Sequence, residues 1–319
     1  MMRTISAYFT RLTEGFGRGW TEFWFTPSDP AMSGLIRLLT GLVVLYLHAT
    51  LSFDLVAFFG PDGLLPAADI RPLEGGTLSY LNYVSQPAEL WTVHLLGLAV
   101  LVAFTLGLWT PWTCVLALVV FLSDIHRAAM LTSLTEPIAA MVMLYLCFAP
   151  CGRTYSLGAW WGRRAKPAAL TAAPANEQST LATIATRLIQ VHLALLVATM
   201  AFSQLAGDVW WLGTAMWWLM ARPESRLVDL TPLARSPMAI NAWTHLIVLA
   251  ELAFAILVWV PLARPLVMAA AALAWISLAL VTGEVTFALM MGIASLAFVS
   301  PELLPACCRG KATVAVPTA

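Results

Sequence analysis

The chain has 319 residues, of which 60% are hydrophobic and 11% charged, with a mean hydropathy of +0.82. Soluble domains carry roughly 25% charged residues, so this composition excludes a disordered chain, a nucleic-acid binder with a basic face and an ordinary cytosolic enzyme. Seventeen basic and seventeen acidic residues cancel, and the five cysteines include no CxxC pair. Neither a bulk attraction to acidic partners, nor a disulfide framework, nor a metal site is implied.

Residues 1–33 open the chain with Phe9, Leu12, Phe16, Trp20 and Phe23 at helical spacing. They predict an amphipathic interfacial helix on the inner leaflet, and no cleavable signal pattern precedes it. A bilayer core about 30 Å thick needs roughly 20 apolar residues of helix. Runs of this kind cover 34–53, 89–109, 111–126, 134–151, 183–206, 241–260, 264–282 and 283–300. The fold class is therefore an all-α polytopic membrane protein, with eight transmembrane helices, or seven and one re-entrant segment. With the N-terminus inside, ten Lys and Arg residues fall in inner segments and five in outer ones. That asymmetry predicts a multi-pass protein of the cell membrane with both termini cytoplasmic.

The connections carry their own signals. Residues 54–88, with Asp54, Asp62, Asp69 and Glu74, predict an ordered acidic cap outside. Residues 207–240 contain GDVWWLGTAMWWLM, read as a second interfacial helix over the outer mouth. The Ala/Pro-rich stretch 163–180 reads as a mobile linker and 304–319 as a flexible tail. Most of the fourteen tryptophans fall where spans end, as an aromatic belt does. Cys147 and Cys151, spaced i,i+4 at the inner end of the fourth span, are expected to stay reduced.

Function is sought in polar groups placed where hydrocarbon penalises them. His48, His94, His126, His192 and His245 all lie in or at the edge of spans, and Glu251 lies midway along the sixth. An ionised carboxylate at that depth costs roughly 2.5–3.5 kcal/mol on insertion scales, so Glu251 is expected to be protonated, paired or facing water. Its candidate partners are His192, Arg187 and Gln190, and a catalytic reading makes Glu251 with His192 or His245 a proton-handling pair. A ligand-binding reading takes Gln204, His48, His94 and Gln190, with Trp210, as hydrogen-bonding groups for the headgroup of a quinone or lipid in an apolar bundle. Each histidine is equally readable as an interhelical hydrogen-bonding group. A haem between two histidines is the weaker reading, and Arg37 and Arg187, close to inner span ends, are expected to snorkel.

Four stretches taken in order carry a family resemblance. They are Asp29-Pro30 with GLIRLLTGLVVLYLHA, then GLWTPWTCVLALVVFLSDIHRAAMLTSLTE, YLCFAPCGRTYSL, and RLIQVHLALLVATMAFSQLAGDVWWLGTA. Glu251 followed by Pro261-Leu262-Ala263-Arg264-Pro265 adds to them. Together, over about residues 29–303, they resemble the HTTM superfamily, the transmembrane fold shared with vitamin K-dependent γ-glutamyl carboxylase. The resemblance implies an HTTM-like domain over 34–303. It also implies that Gln204 stands where the carboxylase carries the lysine that deprotonates reduced vitamin K. An amide has no useful basicity near neutral pH, and the carboxylase's large lumenal domain has no counterpart here. The expectation is an HTTM-like protein without carboxylase activity that binds a lipophilic molecule. The alternatives are an accessory subunit of a larger membrane complex and a membrane enzyme of redox or transfer type using Glu251 and a histidine.

Overall fold

The computed structural model describes residues 2–65, 79–84, 86–165, 178–222 and 227–303. Helices follow in the order α1 (Met2–Phe25), α2 (Ala31–Thr50), α3 (Leu55–Phe59), α4 (Pro87–Leu106), α5 (Thr110–Arg127), α6 (Thr135–Leu146), α7 (Leu157–Ala165), α8 (Thr180–Ala206), α9 (Asp208–Trp211), α10 (Ala215–Met220), α11 (Pro237–Leu257), α12 (Arg264–Thr282) and α13 (Val285–Ser295). Among the described residues an isolated bridge between Ser28 and Ser179 stands in place of any sheet. Asp69, Glu74, most of the linker and the tail lie outside the described residues.

In hydrocarbon a backbone must satisfy its own N–H and C=O groups, which a helix does within one segment. The sequence also marks where helices start and stop. Proline occupies the first turn of α4, α5, α11 and α12, where its missing N–H is not needed. Ser133 and Glu136 close a capping box at the start of α6, with Glu136 Oε2 accepting the Ser133 amide at 2.8 Å and Ser133 Oγ accepting the Thr135 amide at 3.1 Å. Gly107 ends α4 in the left-handed region at φ +72°.

All eight apolar runs fold as helix, but they are not eight equivalent spans. Five helices are long and apolar enough to cross a membrane, namely α2 with the turn to Phe53, α4, α8, α11 and α12. The other three fall short. The last turn of α5 carries Asp124, His126 and Arg127. At 1.5 Å per residue the 12 residues of α6 extend about 18 Å, against about 30 Å of hydrocarbon. Counting apolar residues overestimates span length because the runs at 134–151 and 283–300 include the turns that follow α6 and α13. These short helices lie inside the bundle: α13 packs against α2, α6, α8 and α12, and α6 packs against α2, α5, α8 and α13. Leu195, Leu246, Leu266 and Leu273 on the longer helices remain exposed, as lipid-facing side chains do.

Successive helices alternate in direction, which gives the bundle two ends. One holds α1, the 147–156 turn and the 296–303 segment; the other holds α3 and residues 207–222 and 227–236. The first end is fastened by Arg37, which is fully buried. Its guanidinium donates to the carbonyls of Phe104 at 2.5 Å, Thr105 at 2.7 Å, Tyr155 at 2.6 Å and Cys151 at 3.3 Å. Two of these are last-turn carbonyls of α4, at the negative end of the helix dipole, and that of Phe104 also accepts the Gly107 amide at 3.1 Å. Arg37 therefore does not snorkel to water; its charge is solvated by carbonyls. Tyr155 holds a left-handed backbone at φ +49°, an arrangement that costs an L-residue roughly 1–2 kcal/mol.

Two further expectations are revised. The 207–220 segment is not one helix over the mouth. Gly213, at φ +72°, separates α9 from α10, and the segment packs along α11 through Asn241 Nδ2 to Leu212 O (3.1 Å) and the Met216 amide to Thr244 Oγ1 (3.3 Å). Cys147 and Cys151 do not share a helical face, because α6 ends at Leu146; Cys151 Sγ lies 3.7 Å from Cys114 Sγ instead.

Arg37→Met keeps the volume of the side chain but removes the charged donor shared by four carbonyls. It is expected to lower stability by about 3 kcal/mol or more, read from the unfolding midpoint in mixed micelles against wild type. Arg37→Lys, with one ammonium for four acceptors, should recover only part of the loss.

Candidate functional site

Three helices converge on a polar cluster at the end of the bundle that holds α3. His48 comes from the last turn of α2, His94 from α4 and Asp124 from α5. The approach of α4 depends on Gly97, where an added Cβ would stand 3.1 Å from both His48 Nε2 and Val120 Cγ1. His48 Nδ1 meets Asp124 Oδ2 at 2.6 Å, and His48 Nε2 donates to the His94 carbonyl at 3.2 Å. The two imidazoles stack with centroids 4.3 Å apart and planes 20° from parallel, and His94 Nε2 contacts Ser52 Oγ at 2.7 Å. His48 and His94 are both buried.

The bonding fixes the proton count. A carbonyl only accepts, so His48 Nε2 carries a hydrogen. The short Nδ1 to Oδ2 contact must then hold one more proton, on the imidazole or on the carboxyl group. Either way the pair is neutral overall and keeps one transferable proton in a low-dielectric setting. Beside it opens a cavity of about 210 Å³ whose lining includes His48, Asp124, Thr132, Glu136, Phe121 and Ile125. An apolar cavity of about 150 Å³ takes benzene, so this one is large enough for a small ring.

A second polar centre lies deeper. Glu251 of α11 is fully buried, and neither carboxyl oxygen closes a hydrogen bond of ordinary geometry. The polar groups that bear on it are the Gln204 amide of α8 and the Trp275 indole of α12. The expected partners are engaged elsewhere. Arg187 Nη1 donates to Gln190 Oε1 at 2.9 Å, Gln190 Nε2 donates to the Ala297 carbonyl at 2.6 Å, and His192 Nδ1 contacts the Tyr145 hydroxyl at 2.8 Å. His245 is half-buried and makes no hydrogen bond among the described residues, and Trp210 packs in the apolar cluster around Met216. The pairing of Glu251 with His192 or His245 is thus not formed.

The structure brings His48 and His94 together and, separately, Gln204 and Glu251. Gln190, His192, His245 and Trp210 join neither group. Asp124 is the member of this polar cluster that the sequence reading missed. Its signal is a carboxylate one turn before Arg127 within an apolar run, which reads as the polar end of a span. Among the described residues no group of three or more His, Cys, Asp or Glu is arranged to hold a metal. No family model matches the chain, and no curated protein or solved structure shows significant similarity to it.

If the His48–Asp124 contact is one unit, His48→Gln and Asp124→Asn will not add. Each is expected to destabilise the fold, and a double-mutant cycle should return a coupling of about 1–3 kcal/mol; independent effects would dissolve the pair. Glu251→Gln offers an isosteric amide to the same two neighbours. It should stay within about 1 kcal/mol of wild type, whereas Glu251→Ala loses roughly 2 kcal/mol or more to the cavity it opens.

Proposed function

We propose that this chain is an HTTM-like integral membrane protein that binds a lipophilic molecule with an oxygen-bearing ring, such as a quinone, in the cavity beside His48 and Asp124. The observation that carries this reading is the His48–Asp124 pair itself. It is a hydrogen-bonding, proton-holding unit at the wall of a cavity that is otherwise largely apolar. Its chemistry suits a carbonyl or hydroxyl oxygen on a greasy ring, because either partner of the pair can give or take the shared proton.

In this reading all eight apolar helices belong to the membrane domain, with α6 and α13 packed against the longer ones. The end with α1 faces the cytoplasm, where the basic residues gather. The Asp124 cavity then opens near the outer boundary. Carboxylation is not part of the proposal, since Gln204 stands at the position of the base lysine and its amide cannot accept the proton. Of the headgroup-binding residues read from the sequence, His48 lines this cavity and His94 stacks on His48.

Mass spectrometry of lipids extracted from the purified protein should find one ring-bearing lipophile at near-stoichiometric amount. Asp124→Leu should lower its retention by about tenfold, the equivalent of losing one charge-assisted hydrogen bond, while Glu251→Gln leaves it unchanged. A protein that carries no such molecule, and that copurifies with partner chains at fixed ratio, would instead be an accessory subunit.

A further inference from the structure

The opposite end of the bundle holds a second cavity, of about 220 Å³, between α8, the start of α12 and the segment after α13. Its lining includes Arg187, Arg264, Gln190, Asp29, Thr186 and Ser300. Both arginines line this one cavity. Like charges are brought together here at an electrostatic disadvantage that some other interaction must offset. Among the described residues the ion pair found is His48–Asp124, so neither arginine has a carboxylate partner. The one acidic residue in the lining, Asp29, uses Oδ1 to accept the Ala31 amide at 2.8 Å.

Backbone and amide groups hold both arginines in place. Arg187 donates from Nε to the Phe23 carbonyl at 3.2 Å and from Nη1 to Gln190, with the Phe23 ring 4.3 Å below its guanidinium. Arg264 donates from Nε to the Val258 carbonyl at 2.9 Å and from Nη1 to the Phe298 carbonyl at 3.3 Å. In each case Nη2 makes no hydrogen bond among the described residues. A planar, preorganised guanidinium with a spare amino group is the donor that matches a phosphate oxygen.

The neighbouring helix says where such a phosphate comes from. Leu12, Phe16 and Trp20 form an exposed apolar row on α1, the same helix whose Phe23 covers Arg187. A row of that kind lies at the boundary between headgroups and acyl chains, which sets the cleft at headgroup depth. We propose that the Arg187–Arg264 cleft binds the phosphate of an anionic membrane lipid. The site is distinct from the His48–Asp124 cavity, so either can fail without the other.

Native mass spectrometry of the detergent-solubilised full-length chain, with phosphatidylglycerol and phosphatidylcholine added in equal amounts, tests this. Wild type should retain phosphatidylglycerol in about tenfold preference. The double variant Arg187→Gln/Arg264→Gln should lose that preference, and Arg235→Gln, an exposed arginine at the other end, should keep it. Arg264→Lys, which keeps charge but not the fork, guards against misfolding of the double variant and should show an intermediate preference. Inorganic phosphate at millimolar concentration should not displace the lipid. No headgroup preference in wild type, or a preference untouched in both cleft variants, overturns the proposal. Full displacement by phosphate overturns the lipid as the source and leaves a soluble oxyanion.

Discussion

A cation buried without water or counter-ion is tolerable only when the chain surrounds it with oxygen, and Arg37 shows how this protein meets that condition. Its guanidinium gathers carbonyls from the end of α4, 67 and 68 residues away in sequence, and from the turn after α6, 114 and 118 residues away. Apolar side chains gain little from one another when the surroundings are as oily as they are, so directional polar contacts and close packing must set helix positions. Arg37 supplies the first. Close approaches such as that of α4 at Gly41, where a Cβ would stand 2.6 Å from Thr105 Oγ1, supply the second. The same junction orients α2 and α4, and with them His48 and His94 at their far ends.

The polar groups of the bundle therefore divide into three settings with different chemistry. At one end, arginines make bonds to carbonyls and leave amino groups to spare. At the other, a histidine and an aspartate share a proton beside a cavity. Between them Glu251 is fully buried with an amide and an indole bearing on it. This separation is a physical reason to place ligand recognition at the ends. A buried acid surrounded by neutral groups organises helices α8, α11 and α12, whereas a polar pair at a cavity wall has an open side on which to act.

Much of this was legible in the residues alone. The eight apolar runs become eight helices, Pro87, Pro111, Pro237 and Pro265 mark starts, and Gly107 and Gly283 mark ends. The unusual character of Glu251 and of the histidines followed from finding ionisable groups in apolar runs. Their company did not. Depth counted along single helices points Glu251 at Gln190 and His192, but which residues meet depends on how α8 and α11 cross, and that crossing brings Gln204. Asp124 reads as the fringe of a span until the packing of α5 against α4 turns it towards His48.

What the sequence determined by itself is solvent: a chain this apolar has to bury its backbone polarity in helices, and proline, glycine and capping residues say where each one begins and stops. What the tertiary structure alone decided is partnership. It packed the short helices α6 and α13 against the longer ones, converted Arg37 from an interfacial anchor into a buried clasp, and gave His48 an acid. The reason is that helix formation depends on neighbours three or four residues away, while the pairing of buried polar groups depends on crossing angles and close contacts between segments far apart in the chain.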